Sequence, residues 1–149
     1  MHMENVLRQA GALPYKMEPD GLRVLLITSR GTGRWVIPKG GIEKGFTPAQ
    51  AAAQEAYEEA GIRGSIDPVP LGSYTYPKRM NSGRIKPASV LVFGLRFEKQ
   101  LKTWPEQSER RFAWMTIAGA IAAVRDPGVA NLLRRLNEIR AGEKREKAG

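Results

Sequence analysis

The order of apolar and polar residues along the chain predicts a series of strands with one well-marked helix among them. Six segments carry the apolar runs or the alternation expected of strands: residues 6–17, 22–28, 35–37, 69–77, 88–98 and 113–115. Turn-forming residues at 18–21 would join the first two strands, and Pro38 with the glycines after it would end the third. A polar loop at residues 78–84 would separate the fourth strand from the fifth.

The best-marked helix is predicted over residues 47–60. Thr47 can serve as its N-cap, Pro48 occupies the first helical position, and Gln50 completes a capping box. Alanines fill much of the interior and favour helix strongly. Gly61 can end the helix in the left-handed conformation.

Two further helices are predicted near the C-terminus. A short one begins at Thr116, and an amphipathic one covers residues 127–141 after the capping residue Asp126. Strands interrupted by one central helix and closed by others favour an α/β sandwich. We expect one domain at residues 3–141, because the Met-His pair before it resembles a cloning scar, and a flexible basic tail at residues 142–149.

Three carboxylates share one face of the central helix. Glu55, Glu58 and Glu59 stand at positions i, i+3 and i+4, so their side chains project in the same direction. Like charges at this spacing repel one another unless a cation lies among them. Three converging oxygen donors are what a hard divalent cation needs. A solvated acidic face or another polar contact remains an alternative for this pattern.

The composition limits the kinds of site that the chain can build. The 149 residues include no cysteine and one histidine, which excludes a disulfide framework and a thiolate metal site. A metal would therefore rest on oxygen ligands, which favours Mg²⁺ or Mn²⁺ as the cofactor over Zn²⁺. No apolar run approaches the length of a membrane span and no signal peptide is recognisable, so we expect a cytoplasmic protein without a membrane partner.

The net charge of +9, from 24 basic and 15 acidic residues, predicts a polyanionic partner. Part of the excess lies in the C-terminal tail, where a solvated helix end is the simpler interpretation. The other basic residues are scattered around predicted strand ends and loops. This distribution suits a pocket for a small phosphorylated molecule better than a flat nucleic-acid face. A nucleic acid is expected as a partner only through a 5′-phosphorylated end.

The spacing around the acidic helix resembles a known family motif. The chain reads Gly40-x5-Phe46-x7-Gln54-Glu55-Ala56-x-Glu58-Glu59-x-Gly61-Ile62. This segment of 23 residues resembles the Nudix box, Gly-x5-Glu-x7-Arg-Glu-aliphatic-x-Glu-Glu-x-Gly-aliphatic. Residues 34–41 resemble the segment that leads into this box in the family. Residues 104–106 and 110–114 are similar to the diphosphoinositol polyphosphate phosphohydrolase and diadenosine polyphosphate hydrolase branch. The resemblance implies the Nudix α/β/α sandwich, with a mixed sheet between helices.

Two positions depart from the motif. Phe46 stands where the family has glutamate, and Gln54 stands where it has arginine. These two family residues commonly pair with each other, so losing both leaves no unpaired buried charge. We interpret the double change as an alternative packing of Phe46 against the helix in an active enzyme. Ala56, where a larger aliphatic residue is usual, is a mild change of core volume.

The resemblance assigns roles to the carboxylates. It implies that Glu55 and Glu59 ligate the metal, together with the main-chain carbonyl of Lys39 or of Gly40. Glu58 would either complete the metal shell or act as the catalytic base that accepts a proton from the attacking water. Outside the motif, Glu106 and Glu109 are further candidates for the base, with ordinary surface charge as the alternative.

Five basic residues are predicted to bind the substrate's phosphates. We expect Arg8, Arg34 and Lys39 first, and then Lys78 and Arg84, because cationic donors suit the oxygens of a terminal phosphate. The assignment of Arg8 rests on the resemblance alone. No aromatic residue is assigned to a nucleobase.

The sequence therefore predicts a Nudix hydrolase that cleaves a phosphoanhydride bond in a polyphosphorylated small molecule. Diphosphoinositol or dinucleoside polyphosphates are the favoured substrates. One alternative is a pyrophosphohydrolase acting on nucleoside triphosphates or on the 5′ end of RNA. An alternative of another class is a Nudix module that binds a nucleotide or RNA without hydrolysing it.

Overall fold

The computed structural model of the protein describes residues 5–148. The elements in chain order are β1 (Leu7–Glu18), β2 (Gly21–Thr28), β3 (Trp35–Val36), β4 (Lys39–Gly41), α1 (Pro48–Ala60), β5 (Ile62–Ile66), β6 (Gly72–Arg79), β7 (Ile85–Gln100), β8 (Phe112–Thr116), α2 (Ile117–Ala123) and α3 (Pro127–Ala148). A short 3₁₀ turn, Gln107–Glu109, precedes β8. Within the described residues, no helix is long and apolar enough to cross a membrane.

The strands form one mixed sheet with the central order β3-β2-β1-β7-β5. β1 and β7 pair in parallel, from Leu7 opposite Ala88 to Tyr15 opposite Arg96. β1 pairs antiparallel with both β2 and the short β4. β6 joins the sheet beside β7, and β8 joins it beside β2, both antiparallel. The predicted mixed sheet is confirmed.

Apolar side chains cover both faces of this sheet, which makes three layers. On one face the alanines of α1 pack with Ala12 and Leu25. On the other face residues of α2 and α3 pack with Leu13 and Tyr15. Consecutive residues of β1 such as Ala12 and Leu13 therefore enter opposite cores, as the two-residue period of a strand requires. The α/β/α arrangement agrees with the prediction.

Helix α1 has the ends that the sequence predicts. Thr47 accepts a hydrogen bond from the Gln50 N–H at 3.1 Å, and the Gln50 side chain accepts one from the Thr47 N–H at 2.9 Å. Gly61 ends the helix with φ of 68°. Ala56 is fully buried, and its small side chain lets the helix lie close to the sheet. The caps thus fix where the carboxylate face of α1 begins and ends.

The structure corrects several predicted boundaries. Residues 39–41 form β4 although Pro38 and two glycines predicted a stop, because their pairing with β1 supplies the hydrogen bonds that local propensity does not. Strand β5 had no clear apolar pattern and was not predicted. Lys78 and Arg79 belong to β6, so the polar loop shrinks to residues 80–84. Helix α3 continues to Ala148, because its charged C-terminal residues are strong helix formers.

Candidate functional site

The site is built where α1 lies against β4. Gly40, in the middle of β4, faces the Glu55 carboxylate, and a Cβ added at Gly40 would lie 2.3 Å from Glu55 Oε1. That distance is far inside van der Waals contact, so only glycine allows the carboxylate of the helix to approach the strand. The neighbouring Gly41 has open space around it. The glycine pair is therefore asymmetric, and Gly40 is the member that shapes the site.

Glu59 is the most deeply buried carboxylate of the site, with 7% of its surface exposed. One of its oxygens, Oε1, accepts a hydrogen bond from the Lys39 main-chain N–H at 3.3 Å. Its other oxygen, Oε2, lies 3.8 Å from a guanidinium nitrogen of Arg110. The carboxylate is thus approached from β4 on one side and from the segment before β8 on the other.

Glu55 and Glu59 share one site and are close enough for each to change the pKa of the other. Burial raises the pKa of Glu59 to about 8, and the neighbouring Glu55 carboxyl adds to the rise. Burial also raises the pKa of Glu55, and the charge of Glu58 acts in the same direction. A buried and a half-buried carboxylate this close together are stabilised by a shared proton or by a cation between them.

A divalent cation fits this pair by the chemistry of its donors. Both side chains offer hard oxygen ligands, and Gly40 leaves room beside Glu55 that a Cβ would fill. Among the described residues, however, no three Asp, Glu, His or Cys side chains converge closely enough to form a metal-binding group. Glu55 and Glu59 come together as predicted, and Glu58 does not complete a triad with them. Other ligands would have to be main-chain carbonyls, such as those of Lys39 or Gly40, or water.

Sequence reasoning gave no role to Arg110, which the structure places at this site. Its Nε donates to Glu106 Oε1 at 2.9 Å, and its Nη1 donates to the Thr28 carbonyl at 3.2 Å. Only 10% of its side chain is exposed. The similarity over residues 110–114 included this arginine, but nothing local distinguished it from Arg111 beside it. Glu106 is four residues away, but Thr28 and Glu59 come from distant parts of the chain.

The two candidate bases outside the motif are both engaged in ion pairs. Glu106 binds Arg110, and Glu109 binds Arg30 with a distance of 2.9 Å between Arg30 Nη1 and Glu109 Oε1. Arg30 also lies 3.8 Å from Glu106. The main-chain N–H of Glu106 donates to the Glu58 carbonyl at 3.0 Å, so this segment is tied to α1. Either glutamate would therefore have to break its ion pair before it could act as a base.

A cleft of about 540 Å³ opens beside Lys39, on the face covered by α2 and α3. Its lining is mixed and includes Ser29, Thr32, Arg34, Trp35, Val36, Lys39, Tyr74, Thr75, Tyr76, Pro77, Val124, Arg125, Asp126, Pro127 and Val129. Two of the predicted phosphate-binding residues, Arg34 and Lys39, are among them. Three aromatic side chains that were assigned to no ligand, Trp35, Tyr74 and Tyr76, also line the cleft.

Lys39 links the cleft to the carboxylates. Its ammonium group lies 4.6 Å above the centre of the Tyr76 ring, whose hydroxyl donates to Gln9 Oε1 at 2.9 Å. Burial lowers the pKa of Lys39, while the nearby charge of Glu59 opposes that effect. A cation held at this point can contact a phosphate group bound between the cleft and the carboxylate pair.

The other predicted phosphate-binding residues lie outside this cleft. Arg8 is exposed near the start of β1, where it pairs with Ser89. Lys78 is close enough to Lys39 for its charge to lower the pKa of Lys39 further. Arg84 is exposed in the turn between β6 and β7. The structure thus places Lys78 near Lys39, whereas Arg8 and Arg84 lie outside the residues that line the cleft.

Phe46 is not buried in place of the family's ion pair, as the sequence predicted. Phe46 is 39% exposed and belongs to neither hydrophobic core. It lies in the loop before α1, where its main-chain N–H donates to the Glu43 carbonyl at 3.0 Å. The loop is therefore held by its backbone and by the cap at Thr47, and this position does not require a buried side chain.

Comparison with known proteins assigns most of the chain to one family. The model of the NUDIX domain matches residues 7–136. Nudix hydrolase 16, mitochondrial, of Arabidopsis thaliana is 32% identical over 137 residues, which cover 83% of this chain and 76% of that protein. Diphosphoinositol polyphosphate phosphohydrolase 2 of Rattus norvegicus is 28% identical over 137 residues, covering 89% of this chain and 72% of that protein.

Solved structures agree with the fold. A C. elegans Ap4A hydrolase in a binary complex matches with a TM-score of 0.70 and 24% identity, over 92% of this chain and 99% of that chain. A structure described as a NUDIX hydrolase from Listeria monocytogenes matches with a TM-score of 0.71 and 18% identity, over 91% of this chain and 94% of that chain. At these identities the likeness concerns the fold alone.

Proposed function

The chain belongs to the Nudix hydrolase family, and we propose that it hydrolyses a phosphoanhydride bond in a polyphosphorylated small molecule, with a divalent cation held by Glu55 and Glu59. The observation that carries the proposal is the pair formed by the buried Glu59 and the half-buried Glu55, with Glu55 against Gly40. Such a pair is costly to hold without a positive charge between its members. Mg²⁺ or Mn²⁺ suits the oxygen donors best.

The residues around the carboxylate pair have different roles in the proposed hydrolysis. When bound, a divalent cation neutralises phosphate oxygens and acidifies water. Glu55 and Glu59 would hold that cation, with a main-chain carbonyl of Lys39 or Gly40 as a further ligand. The Lys39 ammonium binds a phosphate oxygen on the side of the cleft. Glu58 is free of ion pairs among the described residues and accepts the proton of the attacking water, a role for which Glu106 and Glu109 are less suited because each already binds an arginine.

The lining of the cleft favours a dinucleoside polyphosphate as the substrate. Trp35 and Tyr76 are only partly buried and border the cleft, where an aromatic ring can stack on a base. The cationic residues that line the same cleft are Arg34, Lys39 and Arg125. A diphosphoinositol polyphosphate carries phosphates around its whole ring and would need cations on every side. Lys78 beside Lys39 is the observation that favours it as a second candidate.

The expected partner is therefore a small molecule, and a nucleic acid would bind only through a phosphorylated 5′ end. The non-hydrolysing module is disfavoured because Glu55, Glu58 and Glu59 are all present on α1. A cytoplasmic location stays a prediction from the sequence, and several Arabidopsis relatives carry the word mitochondrial in their names.

A substrate panel tests the proposal. We expect the protein to cleave diadenosine tetraphosphate in Mg²⁺ with a higher kcat/KM than a diphosphoinositol polyphosphate or the common dNTPs, and to lose activity in EDTA. The Glu59→Gln variant keeps the shape of the side chain and should lose about 100-fold in activity, a loss typical of a perturbed metal site. Binding of these compounds without turnover would support the non-hydrolysing module. Near wild-type turnover by Glu59→Gln in saturating Mg²⁺ would remove Glu59 from the metal site.

A further inference from the structure

Arg110 is fixed in one orientation by groups that do not belong to the acidic helix. Its Nε donates to Glu106 at 2.9 Å, and its Nη1 donates to the Thr28 carbonyl at 3.2 Å. A planar guanidinium held at two of its nitrogens can no longer rotate. Its third nitrogen, Nη2, then points towards Glu59, 3.8 Å from Oε2.

Glu59 is consequently constrained from two sides. The Lys39 N–H holds Oε1, and the Arg110 charge faces Oε2 at a distance too long for a hydrogen bond. The segment that carries Arg110 is itself attached to α1, because the Glu106 N–H donates to the Glu58 carbonyl at 3.0 Å. Glu106, Arg110 and Glu59 therefore move together with the helix.

We propose that Arg110, held by Glu106, is a positioning residue that orients the Glu59 carboxylate for a divalent cation. The inference rests on the proposed function, since it concerns how that site is organised. Arg110 acts through Glu59 and is not assigned a contact with the substrate. Groups that orient a metal ligand commonly change metal affinity or activity by about 10- to 100-fold when they are removed.

A variant of Arg110 can change both the orientation of Glu59 and the negative charge near the carboxylate pair, and these two effects have to be measured separately. Removing Arg110 alone would leave Glu106 with only the more distant Arg30, 3.8 Å away, as a cationic partner. The less neutralised charge of Glu106, close to Glu55 and Glu59, would itself attract a cation. The double variant Arg110→Met/Glu106→Gln removes both members of the ion pair and leaves the net charge unchanged. It therefore changes the support of Glu59 and keeps the local charge balance.

A matched control lies elsewhere in the fold. Arg140 is similarly buried, with 12% of its side chain exposed, and binds Asp67 at 2.8 Å. Arg140 stacks over Tyr15 on β1. Tyr15 is four residues from Gly11, which pairs with Lys39, and at the usual rise of a strand these four residues span about 13 Å. The double variant Arg140→Met/Asp67→Asn breaks a comparable ion pair, again without a change of net charge.

We would measure Mn²⁺ binding to the substrate-free proteins by electron paramagnetic resonance, and the Mg²⁺ dependence of kcat/KM. The Arg110→Met/Glu106→Gln protein should bind Mn²⁺ about 10-fold or more weakly and should need correspondingly more Mg²⁺ for half-maximal activity. The Arg140→Met/Asp67→Asn protein should melt at a lower temperature and bind Mn²⁺ like the wild type. If the first double variant does not fold, Arg110→Lys replaces it, and its Mn²⁺ affinity should also fall because one ammonium cannot hold both Glu106 and the Thr28 carbonyl.

Three results would overturn the inference. One is wild-type or tighter Mn²⁺ affinity in the Arg110→Met/Glu106→Gln protein, or in Arg110→Lys where it is used. Another is an equal loss in the Arg140→Met/Asp67→Asn control, which would point to general destabilisation. The third is a wild-type protein that binds no Mn²⁺, and this result alone would overturn the proposed function as well.

Discussion

At the scale of single residues, Gly40 decides how closely the acidic helix can approach the sheet. An alanine there would place its Cβ 2.3 Å from Glu55 Oε1, so the carboxylate would have to move away from β4. We expect Gly40→Ala to lower kcat/KM by roughly 10- to 100-fold, since small displacements around a metal site have effects of this size. Steady-state kinetics in saturating Mg²⁺ would measure the loss.

Gly41 provides the control for this prediction. It is the next residue of the same strand, and a Cβ there would meet nothing within 4 Å. Gly41→Ala should therefore keep near wild-type kinetics and stability. Equal losses in both variants would show that β4 tolerates no side chain at all, and would contradict a specific role for the contact between Gly40 and Glu55.

The raised pKa of Glu59 predicts an unusual dependence of stability on pH. In the unfolded chain the group titrates near 4.5, whereas burial raises its pKa to about 8 in the folded protein. Between these values the folded state binds more protons than the unfolded state. The free energy of unfolding of the metal-free protein should therefore fall as the pH rises from about 4.5 to about 8. Denaturant unfolding in EDTA at several pH values would measure this slope.

Glu59→Gln isolates the contribution of this group. The amide cannot ionise, so the variant should show a flatter pH dependence and should be at least as stable as the wild type near pH 8. Added Mg²⁺ should stabilise the wild type more than the variant, because the cation takes the place of the proton. If the free energies of unfolding of the two proteins depended on pH in the same way, a group other than Glu59 would cause the dependence.

At the scale of elements, the end of α1 joins the helix to the segment that carries Arg110. Gly61 has a φ of 68°, and a Cβ on it would lie 2.2 Å from the ring of Trp104. Gly61→Ala should therefore lose about 1–2 kcal/mol from the left-handed backbone and a further ~1–3 kcal/mol from the clash with the ring. Chemical denaturation would measure the free energy of unfolding.

A substitution at Gly33 measures the cost of the left-handed backbone without the clash with a ring. Its φ of 69° is almost the same, but a Cβ on it would meet nothing within 4 Å. Gly33→Ala should therefore show only the backbone cost of about 1–2 kcal/mol. If Gly33→Ala destabilised the protein as much as Gly61→Ala, packing of Trp104 on the helix end would contribute little.

Elements with local signals could be predicted, and elements held by distant partners could not. Helix α1 begins and ends as expected, because Thr47, Gln50 and Gly61 satisfy its terminal backbone groups within a few residues. β4 contains no apolar residue, and its strand conformation comes from pairing with Gly11 and its neighbours on β1. Strand β7 starts earlier than predicted because it forms a hairpin with β6.

In the site, too, contacts between residues close in the chain could be predicted and contacts between distant residues could not. The pairing of Glu55 with Glu59 could be predicted, since residues i and i+4 of a helix are neighbours. The partners of Arg110 could not, because Thr28 and Glu59 are brought to it by the fold and are far away in the chain. The expectation for Phe46 failed because a motif position does not fix the burial of its side chain.

At the scale of the whole molecule, the net charge of +9 should make catalysis sensitive to salt. Polyphosphates are drawn to a cationic protein by forces that are screened over a Debye length of about 8 Å at physiological ionic strength. We expect kcat/KM to fall as NaCl is raised at constant Mg²⁺. Lys39→Met should lower kcat/KM for every substrate, since Lys39 lies between the cleft and the carboxylates.

Arg84→Ala is the matched change outside the cleft. Arg84 is exposed in a turn, so its loss should affect long polyphosphates more than nucleoside triphosphates. Discrimination between adenosine and guanosine substrates beyond about 100-fold, with little salt dependence, would instead indicate recognition of the base through hydrogen bonds. Kinetics of both variants on the two purine series at two salt concentrations would distinguish these outcomes.

The parallel pairing of β1 with β7 has a consequence for how the chain reaches its native state. The pair joins Leu7 to Ala88, so about eighty residues must be enclosed before the central strands can meet. Closing so long a loop costs entropy that local contacts do not repay, and proteins rich in such contacts fold slowly. On the ribosome, β1 and α1 are both synthesised long before β7, which both of them contact. The carboxylate pair therefore acquires its buried setting only late in folding, after most of the domain has left the exit tunnel.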